Sequence, residues 1–251
     1  MLRWLAIVLI IQSSIPAFCF GQQKQLVALE LVLAIDTSTS VDEQEFQLQK
    51  VGLAAAFRHP AVQRSIESLG GSGAAVAVIQ WAGATNQSVA VDWQHITNIQ
   101  SAERMALSIS QMKRNFSGFT DIGNAIDFSV SNLQQNQFIG DRRDIDVSGD
   151  GVSDQNDPGP SRTRAVKENI TVNGLIIYSQ EYDLGVLARI GLYNHYSQRV
   201  IGGDGAFVME ADSFDDFADA IRRKLVREIS GTNIAGVSSG YNVLSNMVWA
   251  R

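Results

Sequence analysis

Cysteine is almost missing from this chain of 251 residues: Cys19 is the only one. It lies inside an N-terminal unit that reads as a leader, so the mature protein is expected to carry no disulfide and to rest on its hydrophobic core. Histidine is scarce as well. His59, His95 and His195 are scattered without the spacing of a metal site, which argues against a histidine-built centre. No run of Lys or Arg stands out and the net charge is -6, so nucleic-acid binding has little electrostatic support. Long apolar stretches are absent too. The unbroken run Leu5 to Ile11 is well short of the roughly 20 residues a membrane span requires. Repeats and low-complexity segments are also missing. With 45% hydrophobic and 18% charged residues, the composition is that of an ordinary globular chain and not of a disordered one.

What is present at the N-terminus is a secretory pattern. Arg3 supplies a positive start, Leu5 to Ile11 the apolar segment, and Cys19-Phe20-Gly21 small residues at a cleavage position. Residues 1–21 are therefore expected to be a signal peptide, and the protein to be exported to a bacterial periplasm or exterior. An uncleaved anchor is the weaker reading because the apolar run is short. Lipid attachment at Cys19 is disfavoured by the bulk of Phe18.

Further along, apolar strands alternate with amphipathic helices. Strands are expected at 26–35, 74–81, 88–93, 144–148, 170–178 and 206–209 from their apolar, β-branched content. Helices are expected at 41–57, 99–112, 122–133 and 183–192, with 158–168 a loop entering a helix, and in a final segment capped by Ser213 and faced by Phe214, Phe217, Ile221 and Leu225. This alternation predicts an α/β fold with a doubly wound, mostly parallel central sheet and helices on both faces. The domain spans 26–229, and 230–251 form a C-terminal tail. Ligands of such folds gather at the carboxyl ends of the central strands.

Chemistry is concentrated at three of those ends. The strand Leu31 to Ile35 runs into Asp36-Thr-Ser-Thr-Ser40, which offers a carboxylate and two hydroxyls at alternate positions. Thr120 stands at a helix start, and Asp150 lies between two glycines after a later strand. Hard oxygen donors of mixed charge suit a small divalent cation such as Mg²⁺. Two carboxylates offset its charge, and the neutral hydroxyls leave it electrophilic toward an anionic group from outside. Each residue also has an ordinary reading: Asp36 and Ser38 as turn residues, Ser40 and Thr120 as helix caps, Asp150 as a turn residue. Ser40 can serve as cap, as ligand, or both. Asp42, Asp121 and Asp154 read as solvated charges or helix-start residues, and Trp81 and Trp93 as core. The three Asn-x-Ser/Thr sites at Asn86, Asn115 and Asn169 are taken as chance matches.

Asp36-Thr-Ser-Thr-Ser40, Phe119-Thr120-Asp-Ile-Gly-Asn-Ala-Ile and Asp150-Gly151 together resemble the von Willebrand factor type A (vWA) domain. The metal-ion-dependent adhesion site (MIDAS) of that family has the pattern Asp-x-Ser-x-Ser, then Thr, then Asp. The resemblance covers about Leu26 to Ile229, and the whole chain resembles an exported bacterial group of proteins of this type. It implies a Rossmann-like sheet carrying Mg²⁺ or Mn²⁺ on its upper edge, with Ser38, Ser40 and Thr120 as hydroxyl ligands. By the same resemblance Asp36 and Asp150 act directly or through water. Two departures stand out: Thr37 where many members have Gly, and Gly149 where many have Thr.

The function expected from this is a non-enzymatic binding module that takes a protein or acidic ligand at the cation's open position. A second class is a haloacid-dehalogenase-like phosphatase, because Gly149-Asp-Gly-Val-Ser-Asp154 fits that group's late motif and Asp36 follows a strand as its nucleophile would. Ser38 stands where that group has a second Asp, and no Lys occurs between Lys113 and Lys167. A metal-free scaffold is the third class.

Overall fold

The structure, a computed structural model, describes residues 23–178 and 185–231. The expected signal peptide, the start of the expected helix at 183–192 and all but the first residues of the expected tail lie outside the described residues. Six strands form one sheet in the order β3-β2-β1-β4-β5-β6. They are β1 (Gln25–Asp36), β2 (Ala74–Trp81), β3 (Gln87–Ile96), β4 (Phe138–Gly149), β5 (Thr171–Ile177) and β6 (Val208–Ala211). All neighbours are parallel except β2 and β3, which form a hairpin. The helices are α1 (Glu43–Arg58), α2 (Pro60–Ser68), α3 (Ile99–Gln111), α4 (Ile122–Gln135), α5 (Gly159–Lys167), α6 (Val186–His195) and α7 (Phe217–Ser230). This is an α/β, doubly wound fold of the Rossmann-like vWA kind, as the alternation of elements predicts.

The central strand β1 explains the two layers of helices. Its side chains alternate between faces. Leu29, Leu31, Leu33 and Ile35 pack in a core with α1, α2, α3 and α7. Val32 and Ala34 face the opposite core, built by α4, α5 and α6. Both faces are covered, so β1 reads as a continuous hydrophobic run rather than an alternating one. Among the described residues no helix is long and apolar enough to cross a membrane.

Several element boundaries differ from expectation for identifiable reasons. Asp42, not Ser40, caps α1: its carboxylate accepts from Glu45 N at 2.7 Å, and Glu45 returns a bond to Asp42 N, a full capping box. Ser40 is instead engaged with Asp150. Asp121, not Thr120, caps α4 through Asn124 N at 2.9 Å. It is fully buried, so it is a helix-start residue but not a solvated charge. Ser213 holds the turn before α7 through Asp216, which occupies the cap position. Strand β4 begins at Phe138, where it pairs with Gln25, so its polar stretch Asp141 to Arg143 is strand. Helix α2 was not expected. Pro60 opens it at its first position, where the missing N–H costs nothing, and the His59 side chain accepts from Ala61 N.

Lys224 of α7 is fully buried between Asp146 of β4 and Glu228, at 2.8 and 2.5 Å. Asn173 of β5 also donates to Glu228, at 2.9 Å. Burial pulls Lys224 down, but Asp146 and Glu228 outweigh it and keep the ammonium charged. Burial and the nearby Glu228 push Asp144 and Asp146 up to about 7. This network ties α7 to the middle of the sheet.

Candidate metal centre

The chain leaves β1 for β2 on one side of the sheet, and β4 takes up the other side. The crevice between β1 and β4 is therefore the switch point of the sheet, where ligands of open α/β folds bind. Asp36 is the last residue of β1, and Asp150 directly follows β4. Their positions follow from strand length and register alone.

Hydrogen bonds link four of the sequence-predicted residues into one row. Ser38 N donates to Asp36 Oδ1 at 2.7 Å, an Asx-type turn that curls the loop back over the strand end. Ser38 Oγ and Ser40 Oγ lie 3.0 Å apart, and Ser40 Oγ donates to Asp150 Oδ1 at 2.7 Å. Thr120 sits on the adjoining loop: a Cβ built on Gly151 would lie 4.0 Å from Thr120 Cγ2. That loop is pinned to both neighbours. Thr39 N donates to Gly118 O at 2.8 Å, and Asp121 N donates to Ala82 O at 3.0 Å. Asp154, on the exposed side, accepts from Thr120 N at 3.1 Å.

The electrostatics are those of a site short of positive charge. Asp36 is fully buried and its Oδ2 has no hydrogen-bond partner among the described residues. Burial, and then the neighbouring Asp150, push its carboxyl up to about 8 in spite of the bonds from Ser38. Burial also raises Asp150. A buried, unsatisfied carboxylate oxygen beside a second carboxylate and the hydroxyls of Ser38 and Ser40 is an arrangement a hard divalent cation relieves, so the residues present fit such an ion. Among the described residues no three His, Cys, Asp or Glu side chains gather to hold a metal, so any ion here depends on the hydroxyls.

Residues outside the sequence motif build the surroundings. Arg114 reaches across with one guanidinium nitrogen to the carbonyls of Thr37, Ser38 and Val41, at 3.0, 2.9 and 2.6 Å, and so clamps the Asp36 loop. Tyr196, fully buried, closes the floor. His195 Nε2 accepts from Ser153 N at 3.3 Å and steadies the loop after Asp150. Gln49 of α1 donates to Asp36 O at 3.2 Å. None of these carries a local pattern that announces its role, because each reaches the site from outside the motif loops it supports. The exposed rim has two apolar side chains, Phe119 at 67% and Val152 at 49% exposure. The three histidines do not converge: His59 caps α2, and His95 bonds the carbonyl of Ser72 far from the crevice.

Comparison with solved structures gives neighbours of the same fold at low identity. Proximal thread matrix protein 1 (PTMP1) from the mussel byssus is 15% identical, with a TM-score of 0.57 over 82% of this chain and 49% of that one. A further structure of PTMP1 is described as having a zinc-occupied MIDAS motif. The pilus adhesin SpaC from Lactobacillus rhamnosus GG is 14% identical, with a TM-score of 0.59 over 83% of this chain and 31% of that one. A von Willebrand factor type A protein from Catenulispora acidiphila is 14% identical, with a TM-score of 0.50 over 81% of this chain and 43% of that one. The chain thus spans about half the length of PTMP1 and under a third of SpaC. No curated protein matches the chain. A family described as "Protein of unknown function (DUF1194)" matches residues 26–233, nearly the whole described fold. With its vWA-like architecture, the chain belongs to the DUF1194 family.

Proposed function

We propose that this protein is an exported, metal-dependent binding module without enzymatic activity. Asp36, Ser38, Ser40, Thr120 and Asp150 would hold Mg²⁺ or Mn²⁺ at the sheet edge, and the cation would supply a Lewis-acidic position for a carboxylate of a protein or acidic ligand. The observation that carries this reading is the unpartnered Oδ2 of the fully buried Asp36, at the head of the hydrogen-bonded row through Ser38 and Ser40 to Asp150. Phe119 and Val152 on the rim add exposed apolar surface of the kind partners cover. The adhesin SpaC and the zinc-occupied MIDAS of PTMP1 lend support by analogy of fold. The vWA-like domain at 26–229, the signal peptide at 1–21 and the tail at 230–251 belong to this proposal.

The phosphatase reading fares worse. Asp154 is exposed and turned toward Thr120 N, and Asp36 is enclosed rather than presented as a nucleophile. Titration calorimetry with Mg²⁺ and with Mn²⁺ on the wild type, Asp36→Ala and Asp150→Ala tests the proposal. Binding in the wild type that is lost in both variants is expected. Equal heats in all three would refute the metal site, and Mg²⁺-dependent turnover of a generic phosphomonoester, abolished by Asp36→Asn, would refute the non-enzymatic assignment.

A further inference from the structure

Two buried oxygens without hydrogen-bond partners among the described residues meet under the crevice: Asp36 Oδ2 and the phenol oxygen of Tyr196. A Cβ placed on Gly149 would lie 2.8 Å from Asp36 Oδ2 and 2.9 Å from Tyr196 Oη. Both oxygens therefore border the same small space without bonding each other directly, close enough for one water to bridge them. Position 149 is a glycine at the end of β4. Its lack of a side chain is what leaves room for the phenol.

The chain goes to some length to bring that phenol there. The ring lies on a second glycine: a Cβ on Gly174 of β5 would come within 2.8 Å of Tyr196 Cδ1. Tyr196 opens a π-helical turn, Tyr196–Val200, that continues α6, and such turns are rare and gather at functional sites. Burial, then the charges of Asp36, Asp150 and Asp146, raise the phenol well above its ordinary range, so it stays protonated and can donate. A carboxylate oxygen has two lone pairs. Asp36 Oδ2 can accept from a water held by the phenol on one side and face a cation or its water on the other.

We infer that Tyr196 is a positioning residue of the site: its hydroxyl donates through one bridging water to Asp36 Oδ2 and fixes the carboxylate that faces the cation. The inference rests on the metal-site reading above. It places Tyr196 among the outer groups that orient a ligand without touching the ion, whose loss typically lowers metal affinity ten- to a hundredfold.

The test compares Mg²⁺ affinity by calorimetry for the wild type, Asp36→Ala and Tyr196→Phe, together with the near-ultraviolet tyrosine difference spectrum on adding Mg²⁺. Tyr196→Phe keeps the ring packing and deletes only the hydroxyl. The expected result is binding in the wild type, none in Asp36→Ala, and affinity about ten- to a hundredfold weaker in Tyr196→Phe. The Mg²⁺-induced tyrosine signal of the wild type should vanish in the same variant. A hydroxyl with a purely structural role would change the unfolding midpoint and leave the affinity unmoved. Wild-type affinity in Tyr196→Phe overturns this inference alone. Loss of the distinction between wild type and Asp36→Ala overturns the site itself and the inference with it. If Tyr196→Phe does not fold, the spectrum of the wild type decides: a tyrosine signal on Mg²⁺ addition supports the inference, and its absence overturns it.

Discussion

Replacing Asp36 by Asn removes a charge while keeping the shape of the side chain, and it should separate the stability of the protein from its capacity for metal. The Asp36 carboxyl is fully buried and is pushed from 3.8 to about 8. In the metal-free fold it holds a proton that the unfolded chain releases above about pH 4. Folding stability therefore falls as pH rises from about 4 to about 8 and levels off beyond, because the unfolded state binds fewer protons over that window. At pH 7 the interval is about three pH units at roughly 1.4 kcal/mol each, a cost of up to about 4 kcal/mol. Asn carries no such cost, and its Oδ1 can still accept from Ser38 N. In chelator, Asp36→Asn should be more stable than the wild type by up to about 4 kcal/mol at pH 7 and equal to it near pH 4. With Mg²⁺ at about a hundred times its dissociation constant, the wild type should gain about 2.7 kcal/mol and the variant nothing. Urea unfolding followed by the fluorescence of the buried Trp81 reads all of these. A variant less stable than the wild type in chelator above pH 7 would refute the claim that burying this carboxyl without a cation costs stability.

Other perturbations probe the supports of the site. Lys224→Met leaves Asp144, Asp146 and Glu228 without their buried cation and should cost about 3–5 kcal/mol at pH 8, with a smaller loss at about pH 5, where the raised carboxyls are protonated. Equal losses at both pH values by urea denaturation would contradict that assignment. Gly149→Thr should destabilise the protein by about 1–3 kcal/mol, since its Cβ meets Asp36 Oδ2 and Tyr196 Oη. A rise in melting temperature would show that the crevice has room. Arg114→Ala strips three loop carbonyls of their shared donor; a loss of about 2 kcal/mol and weaker Mg²⁺ binding by calorimetry are expected, and unchanged binding would mean the clamp does not shape the site.

Local patterning alone determined the alternation of strands and helices, hence the doubly wound sheet, because burial on both faces of a parallel sheet writes itself as apolar runs such as Leu31 to Ile35. The same holds for the positions of Asp36 and Asp150 at strand ends. Where several polar residues competed for a cap, sequence was ambiguous. Asp42 and Asp121 took the caps, and Ser40 went to the row with Asp150, a choice that depended on β1 and β4 being neighbours. Pro60, which no local pattern marked, opens a helix because His59 caps it. Tertiary structure alone decided that Arg114 would clamp the Asp36 loop, that Lys224 would be buried among acids, and that Tyr196 would lie against Gly149 and Gly174. Each depends on elements distant in the chain meeting at a few ångströms, and no local periodicity encodes such a meeting.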